Sequence, residues 1–395
     1  MPNINALSVS SEAPLSKRDK LLLECATCWA YRASGYNSLD PSSEGFSIKM
    51  LYSFVKAVDV DKDTDVSRFK AIYCGYLTHL GKDEIAKSLE QAENHVLEGL
   101  REVVMDEVSI IQYSTLYNII VSTNESAVDS IINCTSMVMS NSNSLTTSSE
   151  TSLSDRDKIL LQCATGIAYF WRKDNCLDPV LEDFGIKMLY AFAKAVDVNR
   201  DLSIPPYKST YCGYLRHLGK DEIAKSLVKV PNHVLEDLRE IVKNEDKIKE
   251  YSTLYNIIVN TNKSTMDSAI KCALCSAYLA RTPPHNYLSP WYEGFAIKML
   301  YGFAKAVEMN VITSDVDYKS LYCGYLRHLG KNDIAGNLEK MQIEVFDGLK
   351  EVVEKEDRIK QFSALYDIIV NTNKSTVDST VNSMISKSSS TSKSS

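Results

Sequence analysis

Tyr211–Lys220 reads YCGYLRHLGK, and Tyr322–Lys331 reads the same ten residues again. Tyr73–Lys82, YCGYLTHLGK, differs from them only in carrying Thr78 where the others carry Arg216 and Arg327. Two further blocks keep step with this one. IKMLY stands at Ile48–Tyr52, Ile186–Tyr190 and Ile297–Tyr301, and a Tyr-Asx-Ile-Ile-Val block stands at Tyr117–Val121, Tyr255–Val259 and Tyr366–Val370. In every set the first and second copies are 138 residues apart and the second and third 111. Self-similarity at a fixed period is the signature of a repeat architecture, so the chain reads as three copies of one unit of about 110 residues.

The unequal offsets follow from a helix-start signature. Ser followed three residues later by Asp, ahead of an apolar run, resembles a capping box. It occurs at Ser16/Asp19, Ser126/Asp129, Ser154/Asp157, Ser264/Asp267 and Ser375/Asp378. Each unit therefore opens with this helix and is followed by another copy of it. Between the second and third units one helix serves both, in solenoid fashion; between the first and second there are two, separated by a Ser-rich tract. The expected organisation is a disordered start over 1–15, a first unit with its closing helix over 16–139, and a flexible linker over 140–152. A second unit over 153–263, a third over 264–374, a closing helix over 375–386 and a disordered tail over 387–395 complete it.

Each unit is expected to be all-α, with about six helices. In the second copy they fall near Ser154–Lys173, Glu182–Val196, Tyr207–Leu218, Asp221–Leu227, His233–Asn244 and Lys247–Asn260. Apolar residues recur at helical spacing, as at Ile159, Leu160, Cys163, Ile167 and Phe170. The pair Pro205-Pro206 reads as the end of a loop, and Gly219 as a left-handed helix terminator. Only 15 Gly and 10 Pro in 395 residues also argue against turn-rich β folds.

The mix of 44% hydrophobic and 24% charged residues suits a folded globular chain, and the net charge of −7 opposes non-specific nucleic-acid binding. No apolar run is long enough to span a membrane. The start, Met1–Ser16, has neither the basic residues nor the apolar segment of a secretory leader, so a reducing, cytoplasmic setting is expected. The Ser-rich start is also compatible with leaderless export of the kind bacterial effectors carry.

Four features hold candidate chemistry. Cys25/Cys28 and Cys272/Cys275 are spaced C-x-x-C, but the second copy has Gly166 at the partner position and all lie in apolar helices. Buried packing is the expected role, and no metal or cofactor is expected. Gly75, Gly213 and Gly324 stand in mid-helix, where Gly costs about 1 kcal/mol relative to Ala, so close backbone packing is expected there. Around them Tyr76, His79 and Lys82, with Tyr214, His217, Lys220, Tyr325, His328 and Lys331, form a candidate contact surface. A row of Lys49, Tyr52 and Lys56, repeated as Lys187, Tyr190, Lys194 and as Lys298, Tyr301, Lys305, shares one helical face and is a second candidate surface for an acidic partner. Finally, Leu80–Leu89 and Leu218–Leu227 (LGKDEIAKSL) have the look of a helix-turn-helix, but the second helix leads with acidic residues that would repel phosphate.

No phosphate loop, paired-His metal helix or Gly-x-Ser-x-Gly elbow is present. The sequence thus favours a non-enzymatic scaffold that binds a protein partner. A nucleic-acid-binding protein using the helix-turn-helix-like segments is the second reading. An enzyme with one active copy is the third, its copy-specific polar residues being His285 and Trp291.

Overall fold

The computed structural model describes residues 15–36, 44–92, 94–125, 153–172, 181–261, 268–281, 292–311 and 314–374. These form helices and no strand. In chain order they are α1 (Lys17–Gly35), α2 (Glu44–Val60), α3 (Val66–His79), α4 (Asp83–Gln91), α5 (Asn94–Met105), α6 (Glu107–Glu125), α7 (Asp155–Arg172), α8 (Glu182–Val198) and α9 (Ile204–His217). They continue as α10 (Asp221–Leu227), α11 (Asn232–Lys243), α12 (Glu245–Asn260), α13 (Ser268–Arg281), α14 (Glu293–Glu308), α15 (Asp315–His328), α16 (Asn332–Leu338), α17 (Glu344–Val353) and α18 (Glu356–Lys374). No described helix is long and apolar enough to cross a membrane. The expected linker at 140–152, the closing helices at 126–139 and 375–386, and the segments 1–14 and 387–395 lie outside the described residues.

The Ser-x-x-Asp starts act as caps where they are described. The amide of Asp19 donates to Ser16 Oγ at 3.0 Å, and that hydroxyl donates back to the Asp19 carboxylate at 2.7 Å. Ser154 and Asp157 repeat the arrangement at 3.1 and 2.8 Å. Each satisfies a helix-end N–H that has no partner within the helix. The helix expected from Tyr207 starts earlier, at Ile204, and takes Pro205 and Pro206 into its first turn. Proline is tolerated there because those amides have no intrahelical partner to lose.

The helices α3, α9 and α15 end the same way. Gly81, Gly219 and Gly330 have φ of +68°, +68° and +71°. In the first copy the Lys82 amide reaches back to the Leu77 carbonyl and the Gly81 amide to that of Thr78, both at 2.9 Å, and the other two copies match it. This is the Schellman closure, and only glycine adopts its left-handed backbone without strain. A lysine on each third helix then pins the turn before the fifth. Lys70 Nζ donates to the Ala92 carbonyl at 2.5 Å, Lys208 to that of Val230 at 2.6 Å, and Lys319 to that of Met341 at 3.1 Å.

The chain divides into two compact units, neither coinciding with a sequence copy. One comprises Met1–Ser130 with Val180–Lys243, the other Ile131–Pro179 with Asn244–Ser395. In the first, α1 packs on α2, α6 and α9, while α6 and α11 pack on α8. Leu22, Cys25, Met50, Phe54, Leu77 and Leu100 fill one core beneath α1, α2, α3 and α5. In the second unit, α7 packs on α12 and α15, and α13 packs on α14, α17 and α18. Its core includes Tyr169, Ile258, Cys272, Phe303, Tyr318 and Phe346.

Candidate functional site

Within the first unit α1 and α9 lie against each other so closely that a Cβ on Gly213 would stand 1.9 Å from the Tyr31 carbonyl oxygen. The contact continues on either side of the glycine. Ser209 Oγ donates to the Arg32 carbonyl at 3.1 Å, and the Arg216 guanidinium donates to the carbonyl of Ser34. Both bonds reach carbonyls in the last turn of α1, where a carbonyl oxygen has acceptor capacity to spare. The Tyr31 ring is surrounded by Tyr214, His217 and Tyr117, with centroids 5.6, 5.3 and 6.3 Å away.

The second unit holds the same contact between α7 and α15. A Cβ on Gly324 would stand 1.9 Å from the Tyr169 carbonyl oxygen. Tyr325, His328 and Tyr255 surround the Tyr169 ring at 5.8, 5.2 and 6.3 Å. One element differs: Arg327 pairs with Glu339 at 2.5 and 2.7 Å. The Arg–carbonyl bond is therefore not needed for the packing.

Gly75, the first-copy glycine, meets nothing: a Cβ there would have no neighbour within 4 Å. Around it Ile72 is 64% exposed and Tyr76 56%, and Leu80 on the same side is 49% exposed. The counterparts of Ile72 and Tyr76 are covered, while Leu218, the counterpart of Leu80, is 44% exposed. Thr210 and Leu321 are 1% and 2% exposed, and Tyr214 and Tyr325 each 4%. A matching imbalance occurs on the sixth helices. Leu116 and Leu254, on α6 and α12, are 8% and 7% exposed, but Leu365 on α18 is 48% exposed. Ile119 on α6 is buried, and its α18 counterpart Ile368 stands open.

The expected contact residues are thus brought together, but unevenly. Tyr214, His217, Tyr325 and His328 touch Tyr31 or Tyr169, whereas Tyr76, His79 and Lys82 are exposed on α3 and its following turn. Lys220 is exposed and Lys331 half-buried, 5.4 Å over the Phe295 ring.

The Lys–Tyr row does not form one solvated surface. Lys49 is exposed, Lys298 half-buried and Lys187 buried. Tyr52 is half-buried, while Tyr190 and Tyr301 are buried. Each lysine lies over an aromatic ring of its own helix: Lys49, Lys187 and Lys298 over Phe46, Phe184 and Phe295, and Lys56, Lys194 and Lys305 over the row's tyrosines. Helical side chains three or four apart meet in this way. Lys56 also pairs with the Asp19 carboxylate at 2.8 Å. That ammonium, helped by the Ser16 hydroxyl, holds Asp19 below the usual carboxylate range.

The cysteines offer no nucleophile among the described residues. Cys25, Cys28, Cys74, Cys163, Cys212, Cys272, Cys275 and Cys323 are free and buried. Burial pushes Cys25, Cys163 and Cys323 up to about 12 and Cys212 to about 11. The helix-turn-helix-like segments carry acidic leading ends, and one lysine of each pairs within its own helix: Lys87 with Glu84 at 3.0 Å and Lys225 with Glu222 at 2.7 Å.

A cleft of about 310 Å³ opens in the first unit between α6 and the α8–α9 corner, lined by Ile111, Leu116, Val198, Pro206 and Tyr207. The corresponding place in the second unit shrinks to about 10 Å³, with Phe170 in its lining. Arg32 occupies the Phe170 position in α1. It turns instead to the Tyr113 hydroxyl at 2.5 Å and over the Trp29 ring.

Tyr31, Tyr169, Ile72, Leu365 and Ile368 were not among the residues that sequence reasoning selected. Their signal was present, since Tyr31, Tyr169 and Tyr278 recur six residues after Cys25, Cys163 and Cys272. No family model, curated protein or solved structure matches the chain.

Proposed function

We propose that this chain is a non-enzymatic scaffold, built of three tandem copies of a six-helix unit, that holds a protein partner. The observation that carries this reading is the open face of α3. The positions of Ile72 and Tyr76 are buried in the second and third copies, and in the first Ile72 and Tyr76 stand exposed, with Leu80 beside them. An apolar, aromatic face around a bare mid-helix glycine suits close approach of another helix. Helical repeats offer such faces as extended binding surfaces.

Phosphate binding is the less favoured reading. The turn after α3 runs directly into Asp83 and Glu84, and the whole chain carries a net charge of −7. Their field repels a polyanion.

The test is binding by the intact chain and by an Ile72→Asp/Tyr76→Asp variant. Partner binding lost in the variant, with unchanged far-UV circular dichroism, supports the α3 face. Binding undiminished by the double change removes that face from the reading. Strongly salt-dependent retention of the wild type on oligonucleotide would favour the nucleic-acid alternative.

A further inference from the structure

We infer that the open α3 face receives the α13–α18 side of a second copy of this chain, so that molecules join head to tail. The inference rests on the reading of the chain as tandem copies, and it names the partner which that reading leaves open.

The argument is continuity with contacts the molecule already makes twice. In the first unit the α3-type helix α9 packs on α1, and its neighbour α8 packs on α6. In the second unit α15 packs on α7, and α14 and α15 pack on α12. Each contact thus has two complementary sides. One is a third helix with its bare glycine. The other is a first helix offering the carbonyl of a tyrosine, flanked by the Leu and Ile of a sixth helix. Each side also has a version with open residues. Gly75 on α3 meets nothing. On α18, Leu365 and Ile368 are exposed where the equivalent residues of α6 are covered. Tyr278 on α13 stands at the register position of Tyr31 and Tyr169. The open α3 face and the open residues of α18 belong to the two halves of one contact.

The intermolecular version is weaker than its internal models. Ala71 and Thr78 replace Ser209 and Arg216, so both bonds to helix-end carbonyls are missing. Ile72 replaces Thr210 and adds apolar area to the same face. The contact is heterologous, with different surfaces on the two partners, so it extends into open chains unless its rotation closes a ring.

Sedimentation velocity on the full-length protein over a range of concentrations tests this. The wild type is expected to shift progressively to larger species. Gly75→Leu puts a side chain where the incoming backbone must come, and it is expected to weaken association about tenfold or more. It leaves the monomer fold intact, because the position is open. Leu365→Asp/Ile368→Asp is expected to do the same from the other side. Each variant keeps one working face, so an equimolar mixture is expected to form a dimer that does not grow.

A wild type that stays monomeric at every concentration overturns the inference. So does assembly unaffected by Gly75→Leu, or a mixture of the two variants that stays monomeric. A monomeric wild type that still binds a different protein through Ile72 and Tyr76 refutes self-association and leaves the scaffold reading standing.

Discussion

Gly213 lies against the Tyr31 carbonyl with no room for a single added carbon. Gly324 and Tyr169 repeat the relationship to within 0.1 Å, both Cβ positions falling 1.9 Å from the oxygen. Gly75, in the same ten-residue block, has open space instead. Three identical residues in near-identical sequence therefore carry different energetic weight, and substitution at each reads out what covers it.

Gly213→Ala and Gly324→Ala should each lower stability by about 2 kcal/mol or more, because the clash is with helix backbone and not with a side chain that can swing away. Gly75→Ala should raise stability by about 0.5–1 kcal/mol, the ordinary gain from replacing glycine in an exposed helix interior. Urea unfolding of the three variants measures both signs. A destabilised Gly75→Ala would mean that this face is covered in the folded monomer.

Charge reversal should separate the Lys–Tyr rows. Lys187→Glu should cost about 3 kcal/mol or more, since it places a carboxylate at a position only 6% exposed. Lys49→Glu, on an exposed position, should change stability by about 0.5 kcal/mol or less. Thermal unfolding of each single variant is sufficient.

The buried thiols should be silent in the native protein. Cys25, Cys163 and Cys323 are pushed up to about 12 by burial, so a rise from pH 7 to pH 9 leaves them protonated. Labelling with a thiol reagent followed by peptide mass mapping should find them unmodified across that range, and modified once denaturant is added. Pronounced native labelling of Cys163 that grows with pH would contradict the packing of α7.

Stability should fall as the solution is acidified below the usual aspartate range, about pH 4. Asp19 is held low by Lys56, and Asp106 is held low by the Ser109 hydroxyl, with the Ser109 and Val108 amides helping. A carboxyl depressed in the folded state adds stability above its unfolded pKa and loses it as pH drops through the folded value. Asp19→Asn should flatten that decline in a pH series of unfolding midpoints. An unchanged slope would show that the Lys56 pair is too solvated to matter.

Local signals made most of the helices legible. The Ser16–Asp19 and Ser154–Asp157 caps, the left-handed glycines and the apolar spacing act within a few residues, and each is realised where the sequence placed it. The mid-helix glycines also announced a close crossing. What the sequence did not reveal is the partner. The Ser209–Arg32 bond joins residues 177 positions apart, and nothing in either helix names the other. Lys49 and Lys187 occupy identical pentapeptides, IKMLY, yet one is exposed and the other buried. Burial is set by neighbours remote in sequence, so copies that read alike were assigned one role when they have two. The start of α9 was missed for a smaller reason: a proline pair reads equally well as a loop end or as a first helical turn.

The compact units draw on interleaved stretches of chain, Met1–Ser130 being completed by Val180–Lys243 and Ile131–Pro179 by Asn244–Ser395. During synthesis α1 therefore emerges long before the helix that covers its Tyr31 carbonyl. At ribosomal speeds the 177 residues between Arg32 and Ser209 represent on the order of 10–35 s. Over that interval the nascent polypeptide carries an uncovered helix face, and neither unit can be obtained by cutting the gene at a single point.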